Sequence, residues 1–246
     1  MSVLRWAETS DGADVARSRC VVQFPHPSAE HKPGGVTGVM PWNTGAHRRK
    51  FLRSPGTAVD DKGRLVERDW VFWGEWESET RYRTLAAWPE PGYPRYLHEP
   101  FWCEPGGKGF RQNTDPYVFG HSFRYSNCKQ LHAGRPSGMQ RLDLGSVLLF
   151  GGSKDGKFLL DTVIVIAKAT PRSVHATHEI GDPTLRRVTC DSVATVPDIA
   201  AEFTLYEGAT ATSSIDGMFS FTPCRPHVDG GLGIAKRSPD PPSRSR

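Results

Sequence analysis

The sequence predicts a mainly β protein (α+β) with long loops and few short helices. Three observations carry this. First, 25 Gly and 20 Pro in 246 residues suit turns and strand ends better than a helical bundle. Second, the apolar runs are short, rich in Val, Ile, Phe and Trp, and bounded by Gly, Pro, Asp and Ser, as strands are. Third, residues 142–169 read LDLGSVLLFGGSKDGKFLLDTVIVIAKA, two β-prone runs joined by a Gly-rich link. They predict an antiparallel hairpin over 146–150 and 158–167, entered through Leu144-Gly145-Ser146. The second run is too apolar for a strand wet on one face, so it belongs centrally in a sheet or closed barrel.

The elements follow in chain order. Residues 1–19 are polar and weakly patterned, a flexible start. Residues 20–24, CVVQF, predict a strand stopped by Pro25 and Pro27. The Gly-, Pro- and His-dense stretch 25–46 reads as irregular loop. A strand begins at Lys50-Phe51-Leu52, and Asp60-Asp61-Lys62-Gly63 is a turn. Residues 66–76, VERDWVFWGEW, are strongly β-prone, with Gly74 marking a bulge or a close approach. Prolines and glycines from Pro89 to Gly107 leave no room for a helix, and 118–125 predicts a short strand. Residues 170–190 show no clear period. Residues 196–203 predict one short helix entered through Pro197 and Asp198, and 218–221 a closing strand. The expected organisation is therefore one β-rich domain over 20–226, followed by a disordered basic tail over 227–246.

Composition narrows the function classes. No apolar run approaches the roughly 20 residues that cross a bilayer, and the N-terminus lacks a signal-peptide core, so a cytoplasmic location is expected. Cys20, Cys103, Cys128, Cys190 and Cys224 are widely spaced with no CxxC pair, which predicts reduced thiols. The formal charge is +4, and residues 234–246 hold four basic residues against Asp240. That leaves the body near neutral, which argues against tight non-specific duplex binding.

Several constellations are candidates for chemistry. Trp70, Trp73 and Trp76 fall within seven residues. They form either a core stripe or a platform on which a base or sugar stacks, with Trp73 and Trp76 as the stacking groups. Glu75 and Glu77 lie opposite that stripe on an idealised strand, Glu75 serving a base edge or either one simply facing solvent. Arg111, Asn113, Asp115, Arg124, Tyr125 and Asn127 come from a stretch dense in amides, aromatics and guanidinium groups. Such groups read base edges and phosphates, or else Asn113 and Asp115 cap a local polar turn. His47, Arg48, Arg49 and Lys50, with Arg53 nearby, are the concentrated basic patch of the body, suited to phosphate or to a solvated edge. His26 with His31, and His175 with His178, have spacings found in metal sites but no completing ligand, so no metal is expected. Cys128 with His121 or His132 is a nucleophile–base combination by residue type alone. No nucleotide-loop, dinucleotide or nucleophile-elbow motif is present, and no cofactor is expected.

The pattern LxxGSVLLFG…FLLDTVIVIA resembles the strand pair of PUA-like domains, the superfamily of the ASCH, EVE and YTH groups, with Gly145-Ser146 in place of the usual Gly-Asp. The wider combination QNTDPYVFG, FRYSNCKQ, YEGAT and GMFSF is similar to bacterial and phage proteins associated with nucleotide-modification or defence loci. The resemblance implies a small PUA-like β-barrel that binds nucleic acid and holds a modified base in an aromatic cage. Trp73, Trp76 or Tyr125 would then stack, and Asn113, Asp115 or Asn127 would read the base edge. The chain departs from the group in lacking the GxKxxExR signature of ASCH domains and in carrying a larger N-terminal third. Three functions compete: a reader of a nucleobase or nucleotide in DNA or RNA, an enzyme such as a transferase acting on a nucleobase or nucleotide, and a toxin or partner-binding protein with no small ligand. An enzyme needs a convergent acid–base set, for which His98 with Glu99 and Asp115 with Arg124 are the candidates by residue type.

Overall fold

The hairpin of the central segment organises one of the two larger sheets among the described residues. The structure, a computed structural model, describes residues 2–5, 19–26, 30–41, 49–60, 62–85, 94–103, 114–132, 135–154, 157–191, 202–227 and 233–235. The strands are β1 (Ser2–Arg5), β2 (Cys20–His26), β3 (Thr37–Met40), β4 (Lys50–Val59), β5 (Leu65–Gly74), β6 (Thr80–Thr84), β7 (Tyr96–Pro100), β8 (Arg124–Tyr125), β9 (Leu131–His132) and β10 (Arg135–Pro136). They continue with β11 (Val147–Lys154), β12 (Lys157–Ser173), β13 (Glu202–Gly208), β14 (Pro223–Pro226) and β15 (Gly233–Ala235). The first sheet has the order β1-β2-β11-β12-β13-β8, the second β15-β14-β5-β4-β7-β6-β3, and β9 pairs with β10 alone. The chain is mainly β, and its sheets do not close into a barrel.

The hairpin pairs as expected, Val147 opposite Val165 and Leu149 opposite Val163, with an irregularity between Phe150 and Gly151. β12 is buried on both faces from Asp161 to Ile166, whereas Leu159 and Leu160 are exposed. Ile164 and Ile166 join the main core, while Val163 and Val165 pack under Ile215, Met218 and Phe221. Gly145 turns the chain into β11 at a φ of +82°, in the left-handed region that favours Gly. The main core lies between the sheets, and the segment 114–125 plugs it. Phe119 meets Phe72 and Trp76, and Tyr125 meets Phe24 and Phe150.

Several elements differ from expectation. β2 runs through Pro25 to His26, paired in parallel with β11. Its other neighbour, β1, covers only Cys20 to Gln23, so the missing N–H of Pro25 falls where that edge is open. The strand expected over 118–125 shrinks to β8, because Tyr117 and Arg124 exchange both backbone hydrogen bonds (2.9 and 2.8 Å) and close a local loop. Of the helix expected over 196–203, residues 196–201 lie outside the described residues, while Glu202 and Phe203 begin β13. Residues 218–221 form two isolated bridges, Met218 to Ile215 and Phe221 to Val163, and the strand follows at β14. Within the region read as tail, β15 pairs with β14, and within the region read as a flexible start, β1 pairs with β2. Gly74 sits in regular register opposite Lys50. Residues 174–190, unreadable by period, fold as a 3-10 helix (Val174–Glu179), a helical turn (Pro183–Leu185) capped by Asp182, and a π-helical turn (Arg186–Cys190). No helix among the described residues is long and apolar enough to cross a membrane. All five cysteines are free thiols.

Candidate active site

Asp161 is the extra residue of the bulge in β12: Phe150 faces Thr162 and Gly151 faces Leu160, leaving Asp161 without an opposite partner. A bulge re-aims the side chain it carries, and here the carboxylate is buried (1% exposed). It meets the Arg49 guanidinium at 2.8 Å. Arg49 precedes β4 and is itself 1% exposed. Its other terminal nitrogen contacts His26 Nδ1. A guanidinium only donates, so His26 presents the Nδ1 lone pair and carries its hydrogen on Nε2. His26 Nδ1 also lies 3.7 Å from Glu75 Oε2, the Glu75 side chain being 3% exposed. Asp161, Arg49, His26 and Glu75 thus form a chain of contacts drawn from β12, the start of β4, the end of β2 and the segment after β5.

A second arm starts at Lys50. In β4, Lys50, Leu52 and Ser54 are the buried phase, and that alternation turns Lys50 inward with no exposed surface. Its ammonium donates to the Trp76 carbonyl and is drawn electrostatically to Glu77 and Glu75. Glu77, also buried, is held by its backbone N–H, which donates to Thr114 Oγ1 at 3.1 Å. His98 Nδ1 pairs with Thr80 Oγ1 at 2.9 Å, and its ring stacks on His31 with centroids 6.4 Å apart.

Burial sets the proton affinities. Desolvation pushes the Asp161 carboxyl up to about 7, against the pull of Arg49 and with a push from Glu75. Desolvation likewise drives Lys50 down to about 8 despite Glu77 and Glu75. His98 falls to about 3 through desolvation and the neighbouring Lys50 and His31. Two groups of opposite type, Asp161 and Lys50, therefore change charge within reach of neutral pH, the condition for acid–base work.

The residues singled out from the sequence divide among different environments. Arg49 and Lys50 are not a solvated basic edge, because both are buried among carboxylates supplied by distant segments. His47, Arg48, Arg111 and Asn113 lie outside the described residues. Glu75 and Glu77 are buried rather than on a wet face: β5 ends at Gly74, alternation stops, and 74–78 are buried without a break. Trp76 is core, its indole N–H donating to the Glu79 carbonyl at 3.0 Å. Trp73 is half-buried on the opposite side of β5 and packs on Phe51 at 4.6 Å. Tyr125 is core, stacked on Tyr206 at 5.6 Å and donating to the Cys128 carbonyl at 2.6 Å.

Asp115 is a backbone clamp, accepting from the N–H groups of Ser126 (3.1 Å), Asn127 (2.8 Å) and Cys128 (2.7 Å). Burial still raises its carboxyl to about 6 against those donors. Arg124 pairs with Asp182 at 3.2 Å, away from Asp115. Asn127 donates to the Thr189 carbonyl at 2.5 Å. His98 and Glu99 separate as well: His98 is buried, while Glu99 pairs with Arg53 at 2.8 Å on the wetter side. His121 and His132 are exposed and Cys128 is half-buried.

Reading the sequence missed Asp161, and it weighed His26 only as a metal ligand. The available signal was a lone carboxylate inside an apolar strand run, in a hairpin whose other strand carries Gly151-Gly152. Among the described residues no group of three or more His, Cys, Asp or Glu side chains is placed to hold a metal ion. No family model, curated protein or solved structure matches the chain.

Proposed function

We propose that this protein is an enzyme acting on a nucleobase or nucleotide in a nucleic-acid modification setting, with Asp161 as the group that gives and takes the proton. The observation that carries the reading is the convergence of Asp161, Arg49, His26 and Glu75, from four separated stretches of chain, into one buried contact set, with Lys50 drawn electrostatically to Glu75. Burying ions costs several kcal/mol each, and apolar replacements often cost nothing. Arg49 orients the Asp161 carboxylate and holds His26 in one tautomer. The resemblance of β11–β12 to PUA-like domains supports the substrate class. A base-binding module is the second reading, favoured by the half-buried Trp73–Phe51 pair.

The test incubates the protein with nucleobases, nucleotides and a single-stranded oligonucleotide, with a small-molecule cell extract supplying any second substrate, and seeks a changed base mass. Asp161→Asn is expected to lower turnover about a hundredfold or more while retaining the wild-type circular dichroism. An unchanged mass throughout, with oligonucleotide binding weakened roughly tenfold to a hundredfold by Trp73→Ala, would replace the enzyme with the binding module.

A further inference from the structure

The second sheet has a face turned away from the main core. Leu52, Phe72 and His98 face the interior from β4, β5 and β7, so their strand neighbours Phe51, Trp73 and Leu97 take the opposite face. Register sets these in one row: Trp73 opposite Phe51, Phe51 beside Leu97, and Leu97 opposite Arg83. Arg81, two residues along β6, shares the face with Arg83. Both arginines are exposed, and neither forms an ion pair among the described residues. Arg81 lies over the Phe101 ring at 4.7 Å, although its cross-strand partner is Glu99. Glu99 pairs instead with Arg53 at 2.8 Å, and Arg53 also takes Asp69. Arg83 donates to His227 Nε2 at 3.1 Å. Burial and the nearby Arg53 and Arg83 lower the proton affinity of His227, against the pull of Asp69 and Glu99. That ring therefore offers Arg83 a lone pair and no opposing charge.

Two guanidinium groups are thus held in place by rings while their charge stays unneutralised, on the same face where Arg53 is closed by two carboxylates. Positions two apart on a strand lie about 6.8 Å from each other, so each Arg suits one of two successive phosphates of an extended backbone. Those anions would also relieve the repulsion between the two cations. His227 is anchored by its N–H to the Asp69 carbonyl, and Trp73 stands four residues along β5, about 13 Å away. There the half-buried Trp73–Phe51 pair supplies an aromatic surface for a base. Cations and an aromatic pair set that far apart suit a chain of nucleotides better than a single one. We propose that this face is a track for single-stranded nucleic acid, with Arg81 and Arg83 holding two successive phosphates and Trp73 stacking on a base further along. The track lies across β4 from the buried Lys50 and apart from the Asp161 contact set, so it goes beyond the enzymatic reading and stands with or without it.

The test measures binding of a short fluorescein-labelled oligothymidylate to the intact protein by anisotropy, between about 50 and 200 mM salt. Each phosphate contact with a single strand contributes about 0.7 to the slope of log affinity against log salt. Arg83→Gln is expected to flatten that slope by about 0.7, and Arg81→Gln with Arg83→Gln by about 1.4, with circular dichroism unchanged. Arg64→Gln with Lys168→Gln removes the same charge from exposed positions elsewhere and is expected to leave the slope as it is. Trp73→Ala should weaken binding roughly tenfold to a hundredfold at fixed salt while keeping the slope, and Asp161→Asn should bind as wild type does. Equal flattening by the two double variants, or no binding by the wild type, overturns the track and leaves the turnover test of Asp161 untouched. A duplex bound as tightly as the single strand, with no loss in Trp73→Ala, overturns it too, because a bare basic patch then accounts for the binding. The expected binding pattern beside an Asp161→Asn variant of wild-type turnover would keep the track and remove the role given to Asp161.

Discussion

His98 sits with no exposed surface on β7, hydrogen-bonded to Thr80 of β6 and stacked on His31. By residue type it pairs with Glu99, but neighbours along a strand point to opposite faces, and only His98 turns inward. Its folded proton affinity, near 3, lies below the unfolded value of about 6.5. Below pH 6.5 the unfolded chain therefore takes up a proton that the folded chain refuses, and stability falls as pH falls. At pH 7 the loss is small; at pH 5 it reaches about 2 kcal/mol for this one group. His98→Gln removes it. In urea titrations the stability of wild type relative to His98→Gln should accordingly drop by about 2 kcal/mol between pH 7 and pH 5. A difference that is flat with pH would mean that His98 is protonated in the folded protein. The opposing contributions of Asp161 and Asp115, whose raised affinities favour the folded state as pH falls, cancel in this comparison.

The β11–β12 hairpin joins local pattern to chemistry. Its two apolar runs and Gly-rich link were legible, because strand propensity and turn residues are local properties. The bulge was not, because it depends on how two strands meet. A Cβ on Gly151 would lie 2.0 Å from the Leu159 carbonyl oxygen, so the crossing that frees Asp161 from the ladder needs glycine there. Gly151→Ala should cost about 2–4 kcal/mol of stability in a urea titration and pull Asp161 away from Arg49. Gly34→Ala, at an exposed position where a Cβ meets nothing within 4 Å, should stay within about 0.5 kcal/mol. Equal effects at the two positions would show that the bulge tolerates a side chain.

Across the whole molecule the two sheets are interleaved in the chain. β2 pairs in parallel with β11 only after β3 to β7 have built most of the second sheet, and β14 returns to that sheet after β13 has closed on the first. The buried contact set spans both, with Asp161 and His26 from one sheet meeting Arg49 from the other. Neither sheet can keep its core apolar surface covered without its partner, so one cooperative transition is expected. Fluorescence of Trp70, Trp73 and Trp76 reports on β5 and its end, and thiol labelling of the buried Cys20 reports on β2. The two probes should give the same urea midpoint. Midpoints differing by more than about 0.5 M would separate the sheets into independent units.

By itself the sequence determined the β class, the central hairpin, the two-faced burial of the 162–166 stretch of β12 and the Asp60–Gly63 turn. Each of these is written in neighbouring residues as alternation, apolar runs or turn chemistry. Only the tertiary structure decided that Arg49 and Lys50 are buried, that Glu75 and Glu77 face inward, and that Asp161 is aimed at Arg49. A basic run reads as a solvated edge until the carboxylates that neutralise it arrive from distant stretches of chain. An isolated Asp in an apolar strand reads as a flaw until a bulge turns it toward its partner. Those pairings arise from non-local strand register, which period-two patterning leaves open.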